Sequence, residues 1–177
     1  ALITSATLRD EENWDAATAR TGLDYMAAPP SQAAVPSPFD YAAQTRVYVV
    51  SDIDKNNPDQ LATAYRELMT ASGGGALGLF TSIARLRQVH QRLADAPEME
   101  KLMLLAQHVD PLDTGTLVDI FRAEENACLL GTDAVRDGID VPGRALRLVV
   151  YDRVPWPRPT ILHKARKTDF EERHFGA

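Results

Sequence analysis

A hydroxyl, two carboxylates and several glycines follow one short apolar run. Residues 127–143 read Ala-Cys-Leu-Leu-Gly-Thr-Asp-Ala-Val-Arg-Asp-Gly-Ile-Asp-Val-Pro-Gly. Ala127 to Leu130 has the composition of a short buried strand, Gly131-Thr132-Asp133 opens a helical turn, and Gly138 to Gly143 reads as a loop. This layout predicts Thr132, Asp133, Asp140 and exposed backbone amides at the carboxyl end of a strand. In open α/β sheets that edge is where ligands bind. Gly138 admits close backbone approach to a ligand or ends the helical turn in the left-handed region. Asp140 is either a ligand-facing carboxylate or a loop cap.

Other strand ends carry related groups. Ser82 follows the apolar run Ala76 to Thr81 and precedes the helical pattern Ile83 to Leu93. Hydroxyls such as Ser82 and Thr132 cap a helix, or donate to phosphates and so position a nucleic acid without reading its sequence. One residue does both where a helix start also presents its amides. Arg85 and Arg87 lie two apart and face different directions, so at most one is expected to touch a phosphate backbone. Gln107-His108 closes the strand Leu102 to Gln107, and no motif sets a carboxylate beside His108, which reads as a capping or surface histidine. Trp156 stands between Pro155 and Pro157, flanked by Arg153 and Arg158. A Trp held rigid there stacks on a base, worth about 1–3 kcal/mol, or packs against protein. Gly73-Gly74-Gly75 lacks a Lys and precedes a strand, which favours a flexible turn over a phosphate loop.

The elements that must position these groups alternate. Strands are expected at Leu2 to Thr4 (a strand end), Arg46 to Val50, Ala76 to Thr81, Leu102 to Gln107, Cys128 to Gly131 and Leu146 to Tyr151. Helices are expected from Glu11 to Thr21 with Trp14 in the core, from Pro58 to Ser72, from Ile83 to Leu93, from a Thr114 cap through Phe121, and from Thr160 to about His174. Residues 24–38 are rich in Ala, Pro and Ser and read as a loop. Strand–helix alternation with short connections predicts an α/β fold, a parallel sheet flanked by helices on both faces.

A chain of 177 residues holds one ordinary domain with a proper core. No apolar stretch reaches the roughly 18 residues needed to span a bilayer, and the first residues lack the basic flank of a signal peptide, so a cytoplasmic, non-membrane protein is expected. The start at Ala1, in mid-strand and without Met, suggests a piece of something longer. Cys128 is the one cysteine, which excludes a disulfide framework and a cysteine-built cluster. The net charge is −6, yet residues 136–177 hold nine of the 19 Lys/Arg and six of the 25 Asp/Glu. A local basic surface steers an anionic partner even on an acidic protein.

Several segments, in order, resemble a known family. Thr4-Ser5-Ala6-Thr7-Leu8 resembles helicase motif III. Ser37-Pro38-Phe39-Asp40-Tyr41 resembles the stretch that opens the second motor domain of DinG/XPD-type superfamily 2 helicases. Gly75 to Ser82 resembles their motif IV, Gly131 to Gly143 their motif V, and Leu148 to Pro159 the strand and Pro-aromatic-Pro loop that follow. The resemblance implies residues 1–23 as the end of the motif III region with a linker helix, and residues 24–177 as a second RecA-like motor domain truncated before motif VI. It implies an ATP-dependent enzyme moving 5′ to 3′ on single-stranded DNA. Gly138 and Asp140 would serve ATP, the latter by accepting ribose hydroxyls. Ser82, Thr132, Arg85, Arg153 and Trp156 would serve DNA, and Ser5, Thr7 and Asp133 would couple the two. No P-loop, magnesium box or Gln-x-x-Gly-Arg-x-x-Arg is present, so ATP phosphates and Mg²⁺ would bind the missing N-terminal motor domain, and the chain alone is expected to be inactive. An iron–sulfur cluster, where the family has one, would also lie in that domain. Gly143-Arg144-Ala145-Leu146-Arg147 copies half of motif VI, but too early. The competing expectations are a non-enzymatic α/β nucleotide- or protein-interaction module and, with no supporting motif, an independent hydrolase.

Overall fold

The computed structural model describes residues 2–9, 13–136, 139–155 and 160–175. The chain divides into two compact units, Ala1–Val49 and Val50–Ala177. The first contains α1 (Asp15–Thr21) and α2 (Tyr41–Gln44). Gly22, at φ 73°, ends α1, and the Asp40 side chain caps α2 by accepting from the Ala43 amide. Trp14, expected in the core, is instead half-buried at the start of α1, with the Arg9 guanidinium 6.0 Å from its ring centroid.

The second unit runs α3 (Pro58–Ser72), β1 (Ala76–Leu79), α4 (Ile83–Ala94), β2 (Met103–Ala106), α5 (Thr114–Ala123), β3 (Ala127–Gly131), α6 (Asp133–Arg136), β4 (Leu148–Tyr151) and α7 (Ile161–Phe175). The four strands form one parallel sheet in the order β2-β3-β1-β4. Side chains alternate across it, as the two-residue period of a strand requires. Ala76, Phe80, Cys128 and Leu130 face a core filled by Tyr65 and Met69 of α3 and by Leu86, Val89 and Leu93 of α4. Leu77, Leu79, Ala127 and Leu129 face the other core, filled by Leu117, Val118 and Phe121 of α5 and by Val135 of α6. Each large apolar side chain so buried contributes about 1.5–3 kcal/mol. Gly78 belongs to the first face, where the Tyr65 ring lies over it and stacks on Phe80 at 5.0 Å; a β-carbon at 78 would come within 2.8 Å of that ring.

Pro58 starts α3 as expected, and the structure adds Asn57 as its cap, accepting from the amides of Asp59 and Gln60 at 2.9 and 3.3 Å. Thr160 likewise accepts from the His163 amide at the start of α7. Four expectations need correction. Residues 2–4 and 46–50 form no strand; Val47, Tyr48 and Val49 are exposed. β-Branched composition suits a strand, but the strand exists only when a neighbour completes its ladder, and none does among the described residues. The cap of α5 is Asp113, which accepts from the Thr116 amide at 3.1 Å, and Thr114 is left for other use. The Gly73-Gly74-Gly75 turn is packed, not loose. All three residues have positive φ, Gly74 and Gly75 are buried, and a β-carbon on Gly74 would lie 2.5 Å from the Asn126 backbone.

That turn lies at the amino edge of the sheet, where Arg147 ties it down. Its guanidinium donates to the carbonyls of Ser72, Gly73 and Glu125 at 3.0–3.3 Å and to that of Arg144. A cation at the end of α3 also meets the negative pole of the helix. Arg144 pairs with Glu125 at 3.1 Å. The arginines that copy half of motif VI therefore build the amino edge, opposite the carboxyl edge at which open α/β sheets as a class bind ligands.

Candidate functional site

At the carboxyl edge, the ends of β2 and β3 and the start of α5 meet through one buried amide. Gln107 follows β2 and is 5% exposed. Its Oε1 accepts the Thr132 amide at 3.0 Å and the Thr132 hydroxyl at 2.9 Å, and its Nε2 donates to Thr114 Oγ1 at 3.0 Å. A backbone N–H can only donate, so Thr132 fixes which end of the Gln107 amide is oxygen. The rest follows. The single hydroxyl proton of Thr132 goes to Gln107, and the hydroxyl oxygen accepts from His108 Nε2 at 3.3 Å. Sequence reasoning assigned no role to Gln107, although its place at a strand end was visible.

A second buried group ties β1 to β4. Asp152 follows β4, with its side chain fully buried. Its Oδ1 accepts the Thr81 amide at 3.0 Å, and its Oδ2 accepts Arg85 Nε at 2.7 Å. Arg85 also donates Nη2 to the Lys55 carbonyl at 2.7 Å, and Arg153 donates to Asn56 Oδ1 at 2.7 Å. Tyr65, whose hydroxyl donates to the Val150 carbonyl at 3.4 Å, has its pKa raised well above the usual phenol value by burial, with the Asp152 charge adding to the shift and Arg85 opposing it. Arg85 thus faces inward and positions the start of α4. The clue to Asp152 was an acid directly after the apolar run Leu148 to Tyr151.

Ser82 stands at the N-cap position of α4, but only its carbonyl engages the helix, accepting from the Leu86 amide at 3.1 Å; its hydroxyl makes no capping bond. Phe80, two residues earlier, donates its amide to Gly131 at 2.8 Å, so the Ser82 and Thr132 segments leave the sheet side by side. Asp133 is exposed and pairs within its own helix, with Arg136 at 3.0 Å. Asp140 does not join Thr132 at the rim. Its carbonyl accepts from Arg122, in the last turn of α5, at 2.9 Å. Ile139, Val141 and Leu146 pack on the second core, so this segment runs back along α5 toward the amino edge, with the Asp140 side chain exposed. Ser5 and Thr7 lie in the first unit and hydrogen-bond each other at 3.3 Å. Gly138, Trp156 and Arg158 lie outside the described residues.

No group of three His, Cys, Asp or Glu side chains among the described residues is placed to hold an ion. Cys128 is buried in β3, and burial pushes its thiol pKa up to about 11, the opposite of what a thiolate ligand needs. No helix among the described residues is long and apolar enough to cross a membrane.

A parallel sheet covered on both faces, with polar groups gathered at its carboxyl edge, is the layout of doubly wound α/β domains, the RecA-like class among them. Residues 65–176 match the helicase C-terminal domain family. The chain is 36% identical over 163 residues to the ATP-dependent helicase DinG of Mycobacterium tuberculosis, covering 89% of this chain and 24% of that protein. It is 33% identical over 174 residues to the 3′-5′ exonuclease DinG of Bacillus subtilis, covering 93% and 18%. It is 30% identical over 173 residues to the ATP-dependent DNA helicase YoaA of Escherichia coli, covering 95% and 26%. The chain belongs to the helicase C-terminal domain family of DinG- and YoaA-type helicases. It spans about a quarter or less of the length of these relatives. No solved structure matches it.

Proposed function

We propose that this chain is the second motor domain of an ATP-dependent DNA helicase moving 5′ to 3′, and that its carboxyl edge grips the backbone of single-stranded DNA. The observation that carries this reading is the rim itself. Ser82 brings an uncommitted hydroxyl to the start of α4, where first-turn amides and the positive end of the helix dipole favour a phosphate. Thr132 sets the neighbouring strand end through Gln107. Arg85 acts through Asp152, Arg153 extends the grip after β4, and Trp156 is assigned to it by the resemblance alone. Asp133 and, from the first unit, Ser5 and Thr7 couple grip to nucleotide.

ATP and Mg²⁺ would bind chiefly to the partner motor domain. This chain would supply one wall, to which the resemblance assigns Gly138 and the exposed Asp140 carboxylate. Phosphoryl transfer needs cations on the transferring group. The arginines that copy half of motif VI sit at the amino edge instead, bound to carbonyls and to Glu125. A nucleotide- or protein-interaction module of the same fold is the second reading.

The test joins two assays. The 177-residue chain, purified free of contaminating ATPases, is expected to give no ATP turnover. In the full-length enzyme, Ser82→Ala is expected to weaken single-strand affinity about five-fold, close to the loss of one exposed charge-assisted hydrogen bond. Turnover by the chain alone, or unchanged affinity in the variant, overturns the assignment.

A further inference from the structure

We infer that His108 is a proton-dependent phosphate contact of this rim, a reading that rests on the rim being the single-strand grip. His108 is exposed, and it is the one non-glycine residue with positive φ, 67°, among the described residues. A side chain with a β-carbon adopts that conformation at a cost of about 1–2 kcal/mol, and such strain persists where surrounding contacts enforce it. Here they do. Arg87 of α4 donates Nε and Nη2 to the His108 carbonyl at 3.3 and 3.1 Å, and the ring Nε2 lies 3.3 Å from Thr132 Oγ1. The backbone is clamped on one side and the ring on the other.

The hydrogen-bond polarity decides what the ring offers outward. The Thr132 proton is committed to Gln107, so Nε2 carries the hydrogen it donates to Thr132. In the neutral ring Nδ1 is then a bare acceptor, with no partner among the described residues, and it repels an anion. A proton taken from solvent onto Nδ1 turns the same ring into a cationic donor, while the Thr132 bond stays in place. Imidazole is the side-chain group able to offer a ligand either a bare nitrogen or a cationic donor near neutral pH. Other cations near the rim are spent on protein: Arg85 on Asp152 and Lys55, and Arg87 on the His108 carbonyl. The other charged or titratable groups on these elements include His90 and Arg92 on α4, Asp110 and Asp113 after β2, and Asp133 and Arg136 on α6, where Arg92 pairs with Asp59 and Arg136 with Asp133. Of these, Asp110 accepts the Ala106 amide at 2.7 Å. The partner chemistry is a phosphodiester oxygen of a single strand.

The experiment measures binding of a labelled oligothymidylate to the full-length enzyme at pH 6 and pH 8, at fixed ionic strength. His108→Asn tolerates the left-handed backbone and keeps a donor without a titrating charge; His108→Gly relaxes the backbone and removes the ring. Wild type is expected to bind about five-fold more tightly at pH 6 than at pH 8, and both variants to lose that increment. At pH 6 their salt slope should be shallower by about 0.7, one phosphate contact on a single strand. Variants that keep the wild-type pH dependence and salt slope overturn the inference. If Ser82→Ala still weakens binding in that case, only the role of His108 falls; if Ser82→Ala is also without effect, the rim reading falls with it.

Discussion

Asp152→Ala is expected to destabilise the 177-residue chain by about 3 kcal/mol, read from urea denaturation. The side chain is fully buried and holds the Thr81 amide and Arg85 at once. Its loss leaves a backbone N–H without an acceptor and a guanidinium, 20% exposed, without a counter-charge. Removing one partner of a buried pair costs far more than the pair was worth, because the other charge stays behind. Asp152→Asn, which keeps an acceptor for Thr81, should lose about half as much. Equal and small effects from both variants, under about 1 kcal/mol, would mean that Arg85 finds water and that the start of α4 does not depend on Asp152.

Gln107→Leu carries the second large effect. Leu fills much of the same volume but strands the Thr132 amide, the Thr132 hydroxyl and Thr114 Oγ1. Buried polar groups left unpaired cost about 1–3 kcal/mol each; the half-buried hydroxyl of Thr132 can turn to solvent, so a total near 3 kcal/mol is expected. Amide hydrogen exchange at Thr132 reports directly on the lost bond. The account expects strong protection in wild type and its loss in Gln107→Leu. Protection that survives the substitution would show that something other than Gln107 holds that amide.

These two residues also mark where sequence reading stops. β1, β2 and β3 were legible because buried parallel strands are short apolar runs ended by Gly, Ser or Gln. The bounds of α3 were legible, since Pro58 starts it and Gly73 ends it in the left-handed region. Gln107 and Asp152 act across 25 and 71 residues of chain, and no local period encodes which strand ends become neighbours. The same limit governs Asp140. It lies eight positions beyond Thr132 in the sequence, yet the apolar Ile139, Val141 and Leu146 carry its segment back along α5. At 46–50, strand composition was present but, among the described residues, a ladder partner was not. The Gly-Arg-x-x-Arg copy in 143–147 shows the converse: a catalytic spelling that the fold uses to close the end of α3.

The central claim is that the carboxyl edge, not the amino edge, meets the single strand. Photo-cross-linking in the full-length enzyme addresses it, with a benzophenone amino acid placed in turn at Ile83, exposed beside Ser82, and at Arg144, exposed at the amino edge. The account predicts an adduct with single-stranded DNA from position 83 and none from position 144. Adducts from position 144 alone would contradict it.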